Sequence, residues 1–266
     1  MLLSFDRMGG LRWVLVAIVV LVMLFLILPV AFIVALSFGS SQWLAFPPPG
    51  WTLRWYHEFF ADPRWMAAIW TSTKIGVLVM ILSTTLGLMT SFALVRGRFR
   101  GREFLRAAFL TPMILPVVVV AVALYAFFLK IGLNGTLVGF VIAHTVLALP
   151  FAIIPISAAL AGFDKSVEDA AILCGACPWE ARLRVTFPGI RHGLFAAMVF
   201  SFLVSWDEVV IAIFMASPTL QTMPVRIWSS LRQDLSPVIA AASSLLILLT
   251  LALMLLAALF RKKADR

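Results

Sequence analysis

The chain has 266 residues, of which 63% are hydrophobic and only 12% charged, and its mean hydropathy is +1.07. A soluble domain holds about 45–50% apolar and about 25% charged residues, so a water-soluble globule is excluded and an all-α integral membrane protein is expected. The net charge of +9 invites a nucleic-acid reading, but the placement of the cations argues against a nucleic-acid partner and for membrane topology.

A helix needs roughly 20 apolar residues to cross a bilayer. Six such stretches lie near 13–37, 68–95, 105–129, 137–161, 193–216 and 238–260. With the N-terminus inside, 15 of the 21 Lys and Arg residues fall on inner segments, among them Arg7, Arg12, Lys263 and Arg266. By the positive-inside rule both termini are cytoplasmic. The first run is longer than the roughly 7–15 residues of a signal-peptide core and lacks a small-x-small cleavage site, so it reads as a retained anchor. Residues 1–67 thus comprise one span and an external segment, 68–260 a five-helix core, and 261–266 a cytoplasmic tail.

The external segment, WLAFPPPGWTLRWYHEFF, is rich in aromatics and prolines. Trp43, Trp51, Trp55 and Tyr56 suit a membrane–water interface, with a short amphipathic helix around 52–60. A docking surface for an external partner is the sharper alternative. After the second span, the basic loop RGRFRGRE fixes orientation. Pro112 and Pro116 then interrupt the third run, and Pro150 and Pro155 the fourth. Proline frees a carbonyl and bends a helix, and bent helices grouped mid-chain fit a gated pathway.

The fourth and fifth spans are joined by SVEDAAILCGACPWEARLRVTFPG. It reads as two short helices with a hinge at Gly175. The acidic first turn of Val167–Cys174 suits a helix start, Gly175 suits a helix stop, Pro178 fits the first position of a second helix, and Pro188 ends it. Such an elbow is a handle for a partner. Cys174 and Cys177 form a C-x-x-C without the second pair that zinc requires, so they read as small packing residues, and no metal site is expected.

The fifth span carries Ser205-Trp206-Asp207-Glu208. At 1.5 Å per residue, Asp207 lies about 20 Å along the helix, and adjacent acids point about 100° apart. Carboxylates inside a bilayer are costly and face a cavity, a partner or a substrate path. One reading is an ion pair with Arg226 or Arg232, or exposure at the outer surface. The other is an electronegative station for a cationic substrate, with Trp206 either packing or attracting the cation through its ring. The chain has no G-x-x-x-x-G-K-[ST] loop, nucleophile elbow or H-E-x-x-H helix. It reads as a non-enzyme with no cofactor of its own, driven by energy from elsewhere.

The elbow resembles the EAA loop of permease subunits of bacterial type I ATP-binding-cassette importers, E-A-A-x3-G-x9-I-x-L-P. Asp169-Ala170-Ala171 precede Gly175 by the family spacing, and Val185, Phe187 and Pro188 complete it, with Glu168 as a second acid upstream. Cys177 stands where such loops often carry a capping serine. The resemblance implies a six-helix type I importer permease fold in the bacterial inner membrane. It also implies that the 165–190 loop inserts into a cytoplasmic ATPase dimer, which binds ATP and Mg. A second homologous permease subunit and a periplasmic binding protein would complete the machine. The run from Ser205 is similar to the second membrane subunit of spermidine/putrescine permeases, where the matching acids are implicated in handling the polyamine; Ser205, Trp206, Asp207 and Glu208 become the path candidates. Those permeases often carry an acid early in the third span, where this chain has Val117. Opine, aminophosphonate and ferric-iron importers share the architecture. An ion-coupled secondary transporter, which usually shows an internal repeat, and a membrane scaffold are readings of another class.

Overall fold

The computed structural model describes residues 11–233 and 236–262. Arg7, Lys263 and Arg266, used above for topology, and most of the 261–266 tail lie outside the described residues. The chain divides into two compact units, Met1–Asp62 with Ser230–Ile247, and Pro63–Ser229 with Leu248–Arg266.

In the first unit, α1 (Leu11–Ser37) takes the whole first apolar run, and most of its side chains are exposed. The aromatic loop that follows is closed by an antiparallel bridge between Gly39 and Trp51. α2 (Arg54–Ala61) then folds back on the end of α1. The Trp55 indole N–H donates to the Gly39 carbonyl at 2.6 Å, and the Ser37 and Tyr56 hydroxyls share a 2.7 Å bond. The expected short helix is present, but Trp55 is not an interfacial ring. It is 4% exposed because its N–H satisfies a loop carbonyl, whereas Trp43 and Trp51 are 74% and 71% exposed.

The second unit is built on α3 (Pro63–Arg96), α6 (Leu137–Gly162) and α10 (Arg191–Trp206), which pack against one another. Small residues let the backbones close up. A Cβ added at Gly87 would stand 2.7 Å from that of Ala152, and one at Gly193 would stand 2.8 Å from the Pro155 carbonyl oxygen. Ser91 adds a cross-helix bond by donating to the Ile153 carbonyl. α6 carries Pro150 and Pro155 without breaking.

The single third span expected over 105–129 is corrected to two helices, α4 (Arg102–Ile114) and α5 (Val117–Ile131), bent by 102°. Leu115 is extended, with φ −70° and ψ 145°, the state favoured before proline. Pro116 follows as the N-cap of α5, while Pro112 is tolerated inside α4. The fifth span is also shorter than 193–216. α10 stops at Trp206, and a separate α11 (Val210–Met215) follows.

The elbow between α6 and α10 comprises α7 (Lys165–Leu173), α8 (Pro178–Ala181), a π-helical turn over Arg182–Thr186, and α9 (Phe187–Gly189). α12 (Met223–Gln233) and α13 (Val238–Lys262) complete the chain. Among the described residues, four helices are long and apolar enough to cross a membrane, or six if the two bent pairs each count as one span. The second bent pair joins Pro178–Gly189 to α10 at 72°.

Candidate functional site

α7 starts earlier than the sequence suggests because Asp164 caps it, accepting the Ser166 N–H at 2.9 Å. Bonds from the Ser166 backbone and hydroxyl hold the Asp164 carboxyl below its ordinary range, with a smaller attraction from Arg96. Arg96, at the end of α3, donates to the carbonyls of Leu160 at 3.3 Å and Phe163 at 2.8 Å. It thereby caps the C-terminus of α6 just before the elbow.

At the other end of α7, Gly175 has φ +97°. Its N–H bonds the Ile172 carbonyl at 2.9 Å, and the Ala176 N–H bonds the Ala171 carbonyl at 3.1 Å. That is a Schellman cap, for which a left-handed residue is required. Two hydrogen bonds tie this turn, so Gly175 is the stop of α7 that its residue type suggests.

Pro178 opens α8 as expected, and Cys177 provides no side-chain cap. Pro188 does not end the second helix, which corrects that expectation. In the π-turn the Phe187 N–H reaches the Arg182 carbonyl, and the helix runs through Pro188 to Gly189. The wider turn accommodates a residue that has no N–H to give. The break comes at Ile190, which lies outside helical ψ.

The two adjacent acids of the elbow have different surroundings. Glu168 is 7% exposed; its carboxylate accepts from the Thr186 hydroxyl at 2.8 Å and from Arg182 Nε at 3.4 Å. Asp169 is exposed and lies 3.7 Å from Lys165. Ala170 and Pro188 are exposed as well, and Ala171, Val185 and Phe187 are half-buried. Ala171, Gly175, Glu180, Ala181 and Val185 line a cavity of about 320 Å³. Cys174 and Cys177 are exposed free thiols rather than packing residues. Sequence reasoning passed over Leu173 and Trp179, which are 89% and 59% exposed on this elbow. Large apolar side chains in a polar loop were the available signal.

At the second candidate, Asp207 and Glu208 part company. The Asp207 N–H closes α10 on the Leu203 carbonyl at 3.0 Å, and its exposed carboxylate lies beside Thr250 of α13. Glu208 turns back and accepts the N–H groups of Val210 and Ala212, each at 3.0 Å, capping α11. Its side chain is 8% exposed, with His144 Nε2 3.9 Å away. His144 Nδ1 in turn shares a 3.0 Å bond with the Ser205 hydroxyl. His144 is thus bonded to Ser205 and only approaches Glu208, its Nε2 making no hydrogen bond. Glu208 meets backbone amides of α11, and the Arg226 guanidinium lies over Trp65, 5.6 Å from the ring centroid. Trp206 is 3% exposed and stacks on Phe202 at 5.5 Å, so its ring packs. His144 escaped the sequence reading because its partner Ser205 is 61 residues away.

Residues 83–266 match the family model described as binding-protein-dependent transport system inner membrane component. The chain is 27% identical over 242 residues to the spermidine/putrescine transport system permease protein PotC of Escherichia coli K12, covering 91% of each. It is 30% identical to the putrescine transport system permease protein PotI of the same strain, covering 84% of this chain and 82% of that one. In fold it resembles a chain of a bacterial ABC transporter involved in the import of alginate, with a TM-score of 0.72, 15% identity and 96% of each chain covered. That last likeness speaks to architecture alone.

Proposed function

Since the chain belongs to the family of inner membrane components of binding-protein-dependent transport systems, we propose that it forms half of the translocation pathway of an ATP-binding-cassette importer for polyamines of the spermidine/putrescine class. The observation that carries the substrate class is the likeness, over more than four-fifths of the chain, to permeases named for those two amines. The exposed Asp207 carboxylate at the end of α10 supports it, because a flexible polycation needs anionic stations on its way. A buried carboxylate cannot serve without losing its cap, so Asp207 contacts the amine and Glu208 holds α11 in place.

Both termini lie in the cytoplasm, and the elbow docks in a groove of a separate ATPase subunit, which binds the ATP and Mg. Exposed Leu173, Trp179 and Asp169 meet that groove. A second permease subunit forms the other half of the pathway, and an extracytoplasmic binding protein delivers substrate. ATP-driven closure of the ATPase pair displaces the elbows, and the spans attached to them rock between inward and outward openings.

The test is uptake of labelled putrescine and spermidine into proteoliposomes holding this chain with its ATPase, second permease subunit and binding protein. ATP-dependent accumulation of either amine is expected. An assembled, ATP-hydrolysing complex that accumulates neither overturns the substrate class. Failure of any ATPase to co-purify overturns the machine.

A further inference from the structure

The elbow is made of pieces too short to hold their own shape. α7 has nine residues and α8 four, and isolated helices shorter than about 12–15 residues are marginal in water. A lever built from them would bend under load instead of moving what it is attached to. One side chain closes the gap. Glu168, on α7, is buried and bonded to Thr186 and Arg182 at the two ends of the π-turn. Burying a carboxylate is unfavourable unless it is paired and hydrogen-bonded. An apolar residue here would have packed without that cost, so the acid has a directional task.

The same block is joined to α3. The Arg182 guanidinium lies 5.7 Å from the Phe92 ring centroid, and the Phe187 ring lies 5.9 Å from that of Phe92. One turn further along α3, Arg96 holds the last carbonyls of α6. Gly189 fits against the Phe163 ring so closely that a Cβ would overlap it. The elbow thus reaches α10 through the chain and α3 through Phe92.

We propose that Glu168 is a positioning residue for energy coupling: it locks α7 to the π-turn, so that the elbow moves as one rigid piece and hands its displacement to α3 as well as to α10. This rests on the proposed docking of the elbow to an ATPase. The family motif draws attention to the acid at 169, which is exposed; the rivet is its neighbour.

The experiment uses the whole reconstituted transporter and reads substrate moved per ATP hydrolysed. For Glu168→Ala and, independently, Thr186→Val, the ATPase is expected to co-purify and hydrolysis to stay within about twofold, while transport per ATP falls at least fivefold. Glu168→Gln, which keeps an acceptor for Thr186, is expected to recover most of the ratio. Nitroxides at the exposed Val167 and Met89 should hold one distance with and without nucleotide in the parent and spread in Glu168→Ala. If Glu168→Ala fails to assemble, Thr186→Val decides. An unchanged ratio in Thr186→Val, or an unchanged distance distribution in Glu168→Ala, overturns the proposal. Loss of ATPase association in the unmodified complex would instead overturn the docking on which it rests.

Discussion

The two neighbouring carboxylates between α10 and α11 have different environments, and the difference predicts different failures. Asp207→Asn keeps the shape of the helix end but removes its charge. Amine uptake is expected to weaken about tenfold in half-saturation, equivalent to about 1.4 kcal/mol of lost attraction, with assembly unchanged; concentration-dependent uptake of labelled putrescine measures it. Glu208→Ala strips the acceptors from two amides of α11. Each unsatisfied buried donor costs about 1–3 kcal/mol, so that variant should lose thermal stability in detergent and pull down less partner subunit. Equal uptake defects at normal stability in both variants would show that the roles are not divided. The pair Asp207-Glu208 stands out in any hydropathy trace, but which acid faces inward does not. It depends on Glu208 finding its own downstream amides and on His144 arriving from another helix.

Helix boundaries follow local chemistry where that chemistry is strong. Gly175 and Pro178 stop and start helices as their residue types require. Pro116 breaks the third run where the residue before it is forced into extended backbone. Pro188 misled because a proline stops a helix only if the missing hydrogen bond has nowhere to go, and a π-turn provides the room. The stop at Trp206 was hidden because Val209 to Met215 resume an apolar run directly after the two acids, so the stretch still has the length of one span. At this scale Gly175→Val is the informative change. A β-branched residue at φ +97° is strained by about 1–3 kcal/mol, with open space around it rather than a clash. The elbow should detach from the ATPase while the spans remain folded: co-purification falls, and circular dichroism of the membrane helices does not change. Loss of helical signal would contradict this separation.

For the whole molecule, composition and apolar run lengths carried the class, and the family follows from the match over residues 83–266. What stayed illegible is how the helices approach one another. Gly87 and Gly193 are ordinary glycines in a sequence, but in the second unit they are the points where α3 and α10 come against α6. Gly87→Leu is expected to destabilise by about 1–3 kcal/mol, as overpacking does in a close-packed interior. The shift should appear as a lower melting temperature in lipid nanodiscs, and an unaltered melting curve would mean that the α3–α6 contact is looser than described.

The π-turn at Arg182–Thr186 has a consequence for the spacing of the gene. A π-turn holds one residue more than the α-helical turn it replaces, so the elbow counts its length against a helix that contains a surplus amino acid. Deleting Leu183 alone would close the π-turn into a regular α-turn and remove the widened turn that makes room for Pro188. Substitutions at Leu183 should therefore be tolerated in a growth selection on polyamine, while the single-codon deletion should not. If the deletion grows as well as the substitutions, the surplus residue is dispensable.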